Sequence, residues 1–247
     1  MGEPEVYNRE DFIQQMAIDC VIFGYEKTDL KVLIPKLDFA GDFWTLPGGF
    51  IGKEEGIDQA ALRILENRTG IREIYLEQFK TYGDANRTNK IFFDKFYQLN
   101  QEKLSQEGFH EEDLKWLTER SVSIAYYALV DIRKVKPVKS SFDQSVQWYS
   151  IKTLPPMIMD HRQMVMDARE VLRIYLDRKL IAFNLLPETF TMRELQKLYE
   201  AVHDRAFPNN NFQKKMLGLN ILERLGKKFT GAKNKAPYLY RFSNSNS

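Results

Sequence analysis

Residues 46–71 read LPGGFIGKEEGIDQAALRILENRTGI, and this stretch decides the fold of the first two thirds of the chain. Gly48 and Gly49 follow a proline, which predicts a tight turn, because glycine adopts backbone angles that other residues resist. From Ile57 to Thr69 the apolar residues recur at helical spacing, and Gly70 comes directly after them. The sequence therefore predicts a loop, a helix and a second loop.

The spacing within this stretch resembles the Nudix box, G-x5-E-x7-R-E-U-x-E-E-x-G-U, in which U is a large aliphatic residue. The matching positions are Gly49, Glu55, Arg63, Leu65, Gly70 and Ile71. Where the family carries three metal-holding glutamates, this chain has Ile64, Asn67 and Arg68. The resemblance implies a Nudix fold with an altered box.

The three altered positions share one face of a helix, because they are related as i, i+3 and i+4. Carboxylates there would converge on Mg²⁺, which prefers oxygen ligands. Ile64 offers no oxygen and Arg68 adds a positive charge, so we expect no metal, no cofactor and no hydrolysis by the family mechanism. We expect Glu55 and Arg63 to pair and hold the loop. An active pyrophosphohydrolase using Glu54, Glu55 or Glu66 is the alternative.

Composition predicts a globular cytoplasmic protein. Of the 247 residues, 43% are hydrophobic and 28% are charged. The single cysteine, Cys20, excludes an internal disulfide and fits a reducing compartment. The N-terminal residues do not resemble a leader, and no apolar stretch reaches the roughly 20 residues that span a membrane.

Charge is distributed unevenly along the chain. Eleven Lys and Arg stand against five Asp and Glu from Pro187 to the end, although the whole chain carries only +2. A basic C-terminal part predicts an anionic partner for that part alone.

The first domain, residues 1–180, is predicted to be a Nudix-like α/β/α sandwich with a mixed sheet. The predicted strands are 16–25, 30–35, 74–81, 121–132 and 147–151. Asp160 is expected to cap a long helix that ends near Arg178. The mixed pattern of residues 90–120 predicts an inserted surface hairpin or short helices.

The second domain, residues 181–247, is predicted to be a winged helix-turn-helix joined by a packed connector, residues 179–187. Thr191 and Glu194 form a capping box at its first helix. A second helix begins at Asn209, with Leu217 and Leu219 among its inward-facing residues, and a ribbon with a basic tip follows. The predicted DNA contacts are Asn209, Asn210, Asn211, Gln213, Lys214 and Lys215 on the helix, and Lys227, Lys228, Lys233 and Lys235 on the wing.

The chemistry of those side chains fits duplex DNA. Amides at the start of a helix in the major groove pair with adenine edges, and lysines meet phosphates. A basic module that docks an acidic protein is the alternative.

The order of the two domains resembles the Nudix-related transcriptional regulators, the group that includes NrtR and the arabinose-responsive AraR branch. Matching stretches include DCVIFGY, LPGGF, YLEQFKTYGD, SVSIAYYALV and YLYRF. The resemblance implies a homodimer in which the Nudix-like domain binds an effector and the winged helix binds a palindromic operator. We expect a repressor of sugar catabolism that responds to L-arabinose. The alternative is an ADP-ribose-responsive regulator of NAD metabolism.

An effector pocket for a free sugar needs an aromatic face and a few polar partners. The candidate effector residues are Trp44, Phe50, Tyr82, Asp84, Tyr126, Asp160 and His161. Each aromatic residue also suits the core, and Asp160 also suits a helix cap. If the effector carries phosphate, Arg68 is a candidate partner for it.

Overall fold

The computed structural model describes residues 9–72, 74–87, 90–106, 119–176, 184–228 and 236–243. A six-stranded mixed sheet forms the first domain, with strand order β4-β5-β1-β2-β6 and β3 paired to the first part of β1. The elements are β1 (Phe12–Glu26), β2 (Asp29–Leu37), β3 (Gly48–Gly52), α1 (Ile57–Thr69), β4 (Tyr75–Tyr82), α2 (Lys90–Gln106), β5 (Val122–Val130), β6 (Asp143–Ser150) and α3 (His161–Tyr175). Strands β1 and β5 run parallel, which makes the sheet mixed.

Helices cover both faces of this sheet. Successive side chains of a strand point to opposite faces, so Cys20 and Ile22 of β1 pack with α1 whereas Val21 and Phe23 pack with α3. The predicted α/β/α sandwich is confirmed. Helix α1 has the predicted bounds because a Gln59 side chain accepts the Gly56 N–H at its start and Gly70 adopts φ 70° at its end.

The insertion is helical and anchored. Helix α2 consists of two helical segments that meet at Asn100, which agrees with the short-helix prediction over residues 90–106; residues 107–118 lie outside the described part. Asn100 binds both the N–H and the carbonyl of Ala40, at 2.7 and 3.0 Å. Phe96 and Leu104 are buried in a cluster with Phe43. The insertion therefore covers the loop after β2.

The second domain combines two helices with a three-stranded antiparallel sheet in the order β7-β9-β8. Its elements are β7 (Phe190–Thr191), α4 (Met192–His203), α5 (Asn209–Gly218), β8 (Leu222–Lys227) and β9 (Tyr238–Phe242). The predicted capping box is present, since Glu194 N–H donates to Thr191 Oγ1 and Thr191 N–H donates to Glu194. The winged helix prediction is confirmed.

One detail of the second helix was predicted wrongly. Phe212 and Met216 are buried as expected, but Leu217 and Leu219 are exposed. Leu217 lies one residue, about 100°, away from Met216, and Leu219 follows the end of α5 at Gly218.

The two domains share one apolar core. The cluster on the α3 face of the sheet continues through Leu185 and Leu186 to Leu195 and Leu198 of α4. The described end of the predicted connector is therefore packed; residues 177–183, which contain the predicted boundary at 180/181, lie outside the described part. Within the described ranges no helix is both long and apolar enough to cross a membrane.

Candidate functional site

Glu55 and Arg63 hold the loop of the box onto α1, as predicted. Arg63 Nε donates to Glu55 Oε2 at 2.9 Å, and Arg63 Nη2 donates to the Phe50 carbonyl at 2.9 Å. Glu55 Oε1 also accepts the Gly52 N–H at 2.7 Å. The hydrogen bond from Arg63 lowers the pKa of the Glu55 carboxyl below its usual range. Glu55 is therefore occupied by a structural pair.

The altered box positions are built into the fold. Ile64 is buried in the core, and a Cβ placed on Gly49 would lie 3.3 Å from its Cδ1. Asn67 is exposed. Arg68 forms an ion pair with Asp143, whose side chain is fully buried and also accepts the Ser140 N–H at 2.7 Å.

The donor set around the box does not suit a hard cation. Glu66 pairs with Arg72 at the surface at 2.7 Å. Within the described ranges no group of three or more His, Cys, Asp or Glu side chains is arranged to hold a metal ion.

A buried polar cluster lies on the α3 face of the sheet, around His161. The Leu46 N–H donates to His161 Nδ1 at 2.9 Å, so this nitrogen is an acceptor and the proton sits on Nε2. His161 Nε2 lies 3.6 Å from Asp19 Oδ1, and Ser123 donates to Asp19 Oδ2 at 2.5 Å. Burial lowers the pKa of His161 and outweighs the opposing charge of Asp19, so the ring is neutral.

Two further carboxylates border this cluster at α3. Arg87 donates to both oxygens of Asp160, at 2.8 and 3.1 Å. Burial acts to raise the pKa of Asp160, but the hydrogen bonds and charge of Arg87 prevail, and the pKa lies below its usual range. Asp160 precedes α3 but makes no capping bond, which corrects its predicted role as a side-chain cap. Asp167 accepts the Tyr82 hydroxyl at 2.7 Å and Lys80 at 2.6 Å.

The seven predicted effector residues do not all meet. Tyr82, Asp160 and His161 lie together. Phe50 is on the same face of the sheet, because it lies opposite Ala17, and Ala17 faces the same side of β1 as Asp19 two residues later. Trp44 lies on the same face, against Tyr149. Asp84 is exposed in the loop after β4, and Tyr126 lies on the opposite face of the sheet. The hydroxyl of Tyr126 donates to Asp58 of α1. Tyr126 therefore cannot share a pocket with the others, which corrects its place in the predicted set.

The predicted DNA surface is exposed on the first turns of α5. Asn209, Asn210, Asn211, Gln213, Lys214 and Lys215 are all exposed, while Phe212 and Met216 anchor the helix. Gln196 Nε2 donates to Asn209 Oδ1 at 2.9 Å, so α4 engages the oxygen of this amide.

The wing lysines differ among themselves. Lys228 donates to Glu194 at 3.1 Å, and Lys227 Nζ lies 5.7 Å from the ring centre of Tyr238. Lys233 and Lys235 lie outside the described residues.

Comparison with known protein families agrees with this architecture. A family model described as "NUDIX domain" matches residues 14–168, which is more than half of the chain. The chain belongs to the Nudix family. A second model, described as "NrtR DNA-binding winged helix domain", matches residues 182–242. The two domains of this Nudix protein are those of an NrtR-type transcriptional regulator.

Several known proteins are similar to this Nudix protein over both of its domains. The "ADPR responsive transcriptional repressor NtrR" of Acinetobacter baylyi is 24% identical over 96% of this chain and 86% of its own. The crystal structure of Shewanella oneidensis NrtR complexed with a 27mer DNA superposes with a TM-score of 0.70, at 25% identity, covering 93% of this chain and 94% of that one. A MutT/nudix family protein from Enterococcus faecalis has a TM-score of 0.64 at 18% identity, covering 98% of this chain and 90% of that chain, and shows the fold.

Sequence reasoning missed several polar residues of this Nudix protein. Asp19 sits at the centre of the α3-face cluster, but in the sequence it is one acid within the apolar run from Ala17 to Phe23. The signal was available, because an acid within a central strand must find a buried partner. Arg193 and Tyr238 of the winged helix were also missed; both line a groove beside Asn209.

Proposed function

We propose that this Nudix protein is a repressor that binds operator DNA through its winged helix and responds to ADP-ribose. The Acinetobacter relative, an ADPR responsive transcriptional repressor by its description, aligns with both domains, and this supports the proposal. The Shewanella relative crystallised on a 27mer DNA has the same domain order. From the sequence we expected L-arabinose and sugar catabolism, with ADP-ribose as the alternative; the Acinetobacter relative supports ADP-ribose.

The observation that carries the proposal is the combination of two features in one chain. The helix of the Nudix box holds an isoleucine and a paired arginine where the family holds glutamates. The winged helix presents exposed asparagines and lysines at the start of α5. A binding domain joined to a DNA-reading domain fits a regulator better than a hydrolase with an accessory domain.

We place the effector on the α3 face of the sheet, beside Asp19, Asp160 and Tyr82. Carboxylates there would accept hydrogen bonds from ribose hydroxyls, and Phe50 offers an aromatic face for adenine. Lys80 lies at the rim, half-exposed, where it would meet a diphosphate. A free sugar would use the same hydroxyl acceptors, which is why residue types alone favoured neither effector.

We further propose that two chains pair on a palindromic operator. Two recognition helices one turn of DNA apart read two half-sites, so the symmetry of the protein would match that of the site. The effector would change operator affinity only through its different affinity for DNA-competent and DNA-incompetent arrangements.

Fluorescence anisotropy tests the proposal with a labelled duplex from the promoter beside the gene for this protein. We expect ADP-ribose to change the operator Kd and L-arabinose to leave it unchanged. Asp160→Asn should bind DNA normally and lose the ADP-ribose response, whereas Glu170→Gln, on an exposed turn of α3, should keep both. A response to arabinose but not to ADP-ribose would overturn the effector assignment. Failure to bind any duplex would overturn the DNA assignment and favour an acidic protein partner.

A further inference from the structure

A groove of about 300 Å³ opens between the first turns of α4 and α5 and strand β9. Arg193 of α4, Asn209 and Gln213 of α5, and Tyr238 of β9 line it. The groove joins the helix-turn-helix to the wing, so a ligand seated there would touch both.

The groove carries unneutralised positive charge and hydrogen-bond donors. Arg193 is exposed, and no carboxylate of the described residues pairs with it. The nearby Glu194 is occupied by its capping box and by Lys228. The oxygen of the Asn209 amide accepts the hydrogen bond from Gln196, so this side chain would meet a ligand as a donor through its N–H groups.

Strand β9 contributes an aromatic residue, Tyr238, that lies close to two cationic side chains. The Arg224 guanidinium lies 4.4 Å from the ring centre of Tyr238, and Lys227 Nζ lies 5.7 Å from it. Tyr238 is nevertheless 38% exposed. A partly exposed ring with two cations beside it suits a ligand that joins an apolar sugar to anionic groups.

We propose that this groove seats the sugar–phosphate backbone of one operator strand, with Arg193 and Arg224 on successive phosphates and Tyr238 against the deoxyribose. The inference rests on the proposed function, since it requires that the protein binds duplex DNA. Backbone contacts fix orientation and carry no sequence information directly. The groove would therefore set the register in which the asparagines of α5 reach the bases.

The test is to measure the affinity of Arg193→Ala and Arg224→Ala for DNA over a range of salt concentrations. Each variant is measured on the promoter duplex and on an unrelated duplex. Each lost phosphate contact should make the negative slope of log K against log salt shallower by about 0.9. It should also weaken binding about fivefold at ~0.15 M salt. The loss should be equal on both duplexes. Arg241→Ala is the matched control, because Arg241 lies on the other face of β9, paired with Glu223.

The outcomes separate the two proposals. If the wild-type protein binds neither duplex, the proposed function fails and the groove with it. If the wild type binds and both variants, folded by circular dichroism, keep its affinity and slope, the backbone assignment alone is overturned. A loss confined to the promoter duplex would also overturn it, because it would make the groove a reader of bases.

Discussion

Replacing Arg169 with alanine should loosen the winged helix from the Nudix domain. Arg169 belongs to α3, and its Nε donates to the carbonyl of Val202 at 3.2 Å. That carbonyl lies in the last turn of α4, where helix carbonyls lack partners within the helix. Asp204, directly after α4, lies 3.8 Å from Arg169 Nη2. The arginine thus closes the end of the helix that leads into the DNA-reading turn.

The loss of docking free energy depends on how well each contact of Arg169 is shielded from water. A hydrogen bond from a charged group contributes about 1.5–3 kcal/mol, and the Arg169 side chain is only 16% exposed. The ion pair with Asp204 adds little, because Asp204 is 57% exposed and such pairs contribute about 0–1 kcal/mol. We expect a loss of about 2 kcal/mol in docking, which is roughly a thirtyfold change in the equilibrium.

Hydrogen exchange measures this loss in the last turn of α4, where amides should exchange up to about thirtyfold faster. The effect of ADP-ribose on operator affinity should also shrink, because Asp167, two residues before Arg169, contacts Tyr82 at the proposed effector site. The control is Arg173→Ala, since Arg173 pairs with Glu170 within α3. Unchanged exchange and an unchanged effector response in Arg169→Ala would refute the argument.

Three further predictions concern the Nudix domain. Arg68→Ala should lower the free energy of unfolding in urea by about 3–5 kcal/mol, because it leaves a buried carboxylate without its cation. The control, Asn67→Ala on the exposed side of α1, should change the free energy of unfolding by no more than about 0.5 kcal/mol. Equal effects of the two substitutions would contradict this. Gly48→Ala should lower the free energy of unfolding by about 1–3 kcal/mol, since its Cβ would lie 2.8 Å from a backbone oxygen. Gly218→Ala is the control and should not lower it, because its Cβ meets nothing within 4 Å and alanine is favoured over glycine in a helix. Asp160→Asn should destabilise the protein at pH 7. The native pKa of Asp160 is lowered, so its stabilisation is fully present above the ordinary pKa and is lost as the pH falls through the lower native pKa. The difference between the variant and the wild type should therefore begin to shrink below about pH 4 and then vanish. Thermal melts across pH check this, and a difference that grows in acid would contradict it.

Local signals account for what the sequence predicted well. Helix α1 was predicted to the residue because glycines flank a run of helical periodicity. The winged helix was predicted from a capping box, a turn and a second helix, all of which are short-range patterns. The insertion was harder, because Phe96 and Leu104 face a cluster formed by the distant loop around Phe43.

Contacts between distant segments explain what the sequence did not predict. Asp160 looked like a helix cap, but Arg87, 73 positions earlier, takes both of its oxygens. Tyr126 and Tyr127 are neighbours in sequence and lie on opposite faces of the sheet, so only the strand register decides which of them faces α3. The alternation of apolar and polar residues predicts that a segment is a strand, but it does not predict which helix covers each face of the sheet.

The pairing of Arg68 with Asp143 has a consequence for how the domain would behave in a cell. A guanidinium bonded to the chain cannot be chelated, exchanged or diluted away, and it stays charged at every physiological pH. The junction between α1 and the start of β6 should therefore keep its shape whatever the supply of divalent ions. A sensor built on such a tethered cation would report its small molecule without also reporting magnesium.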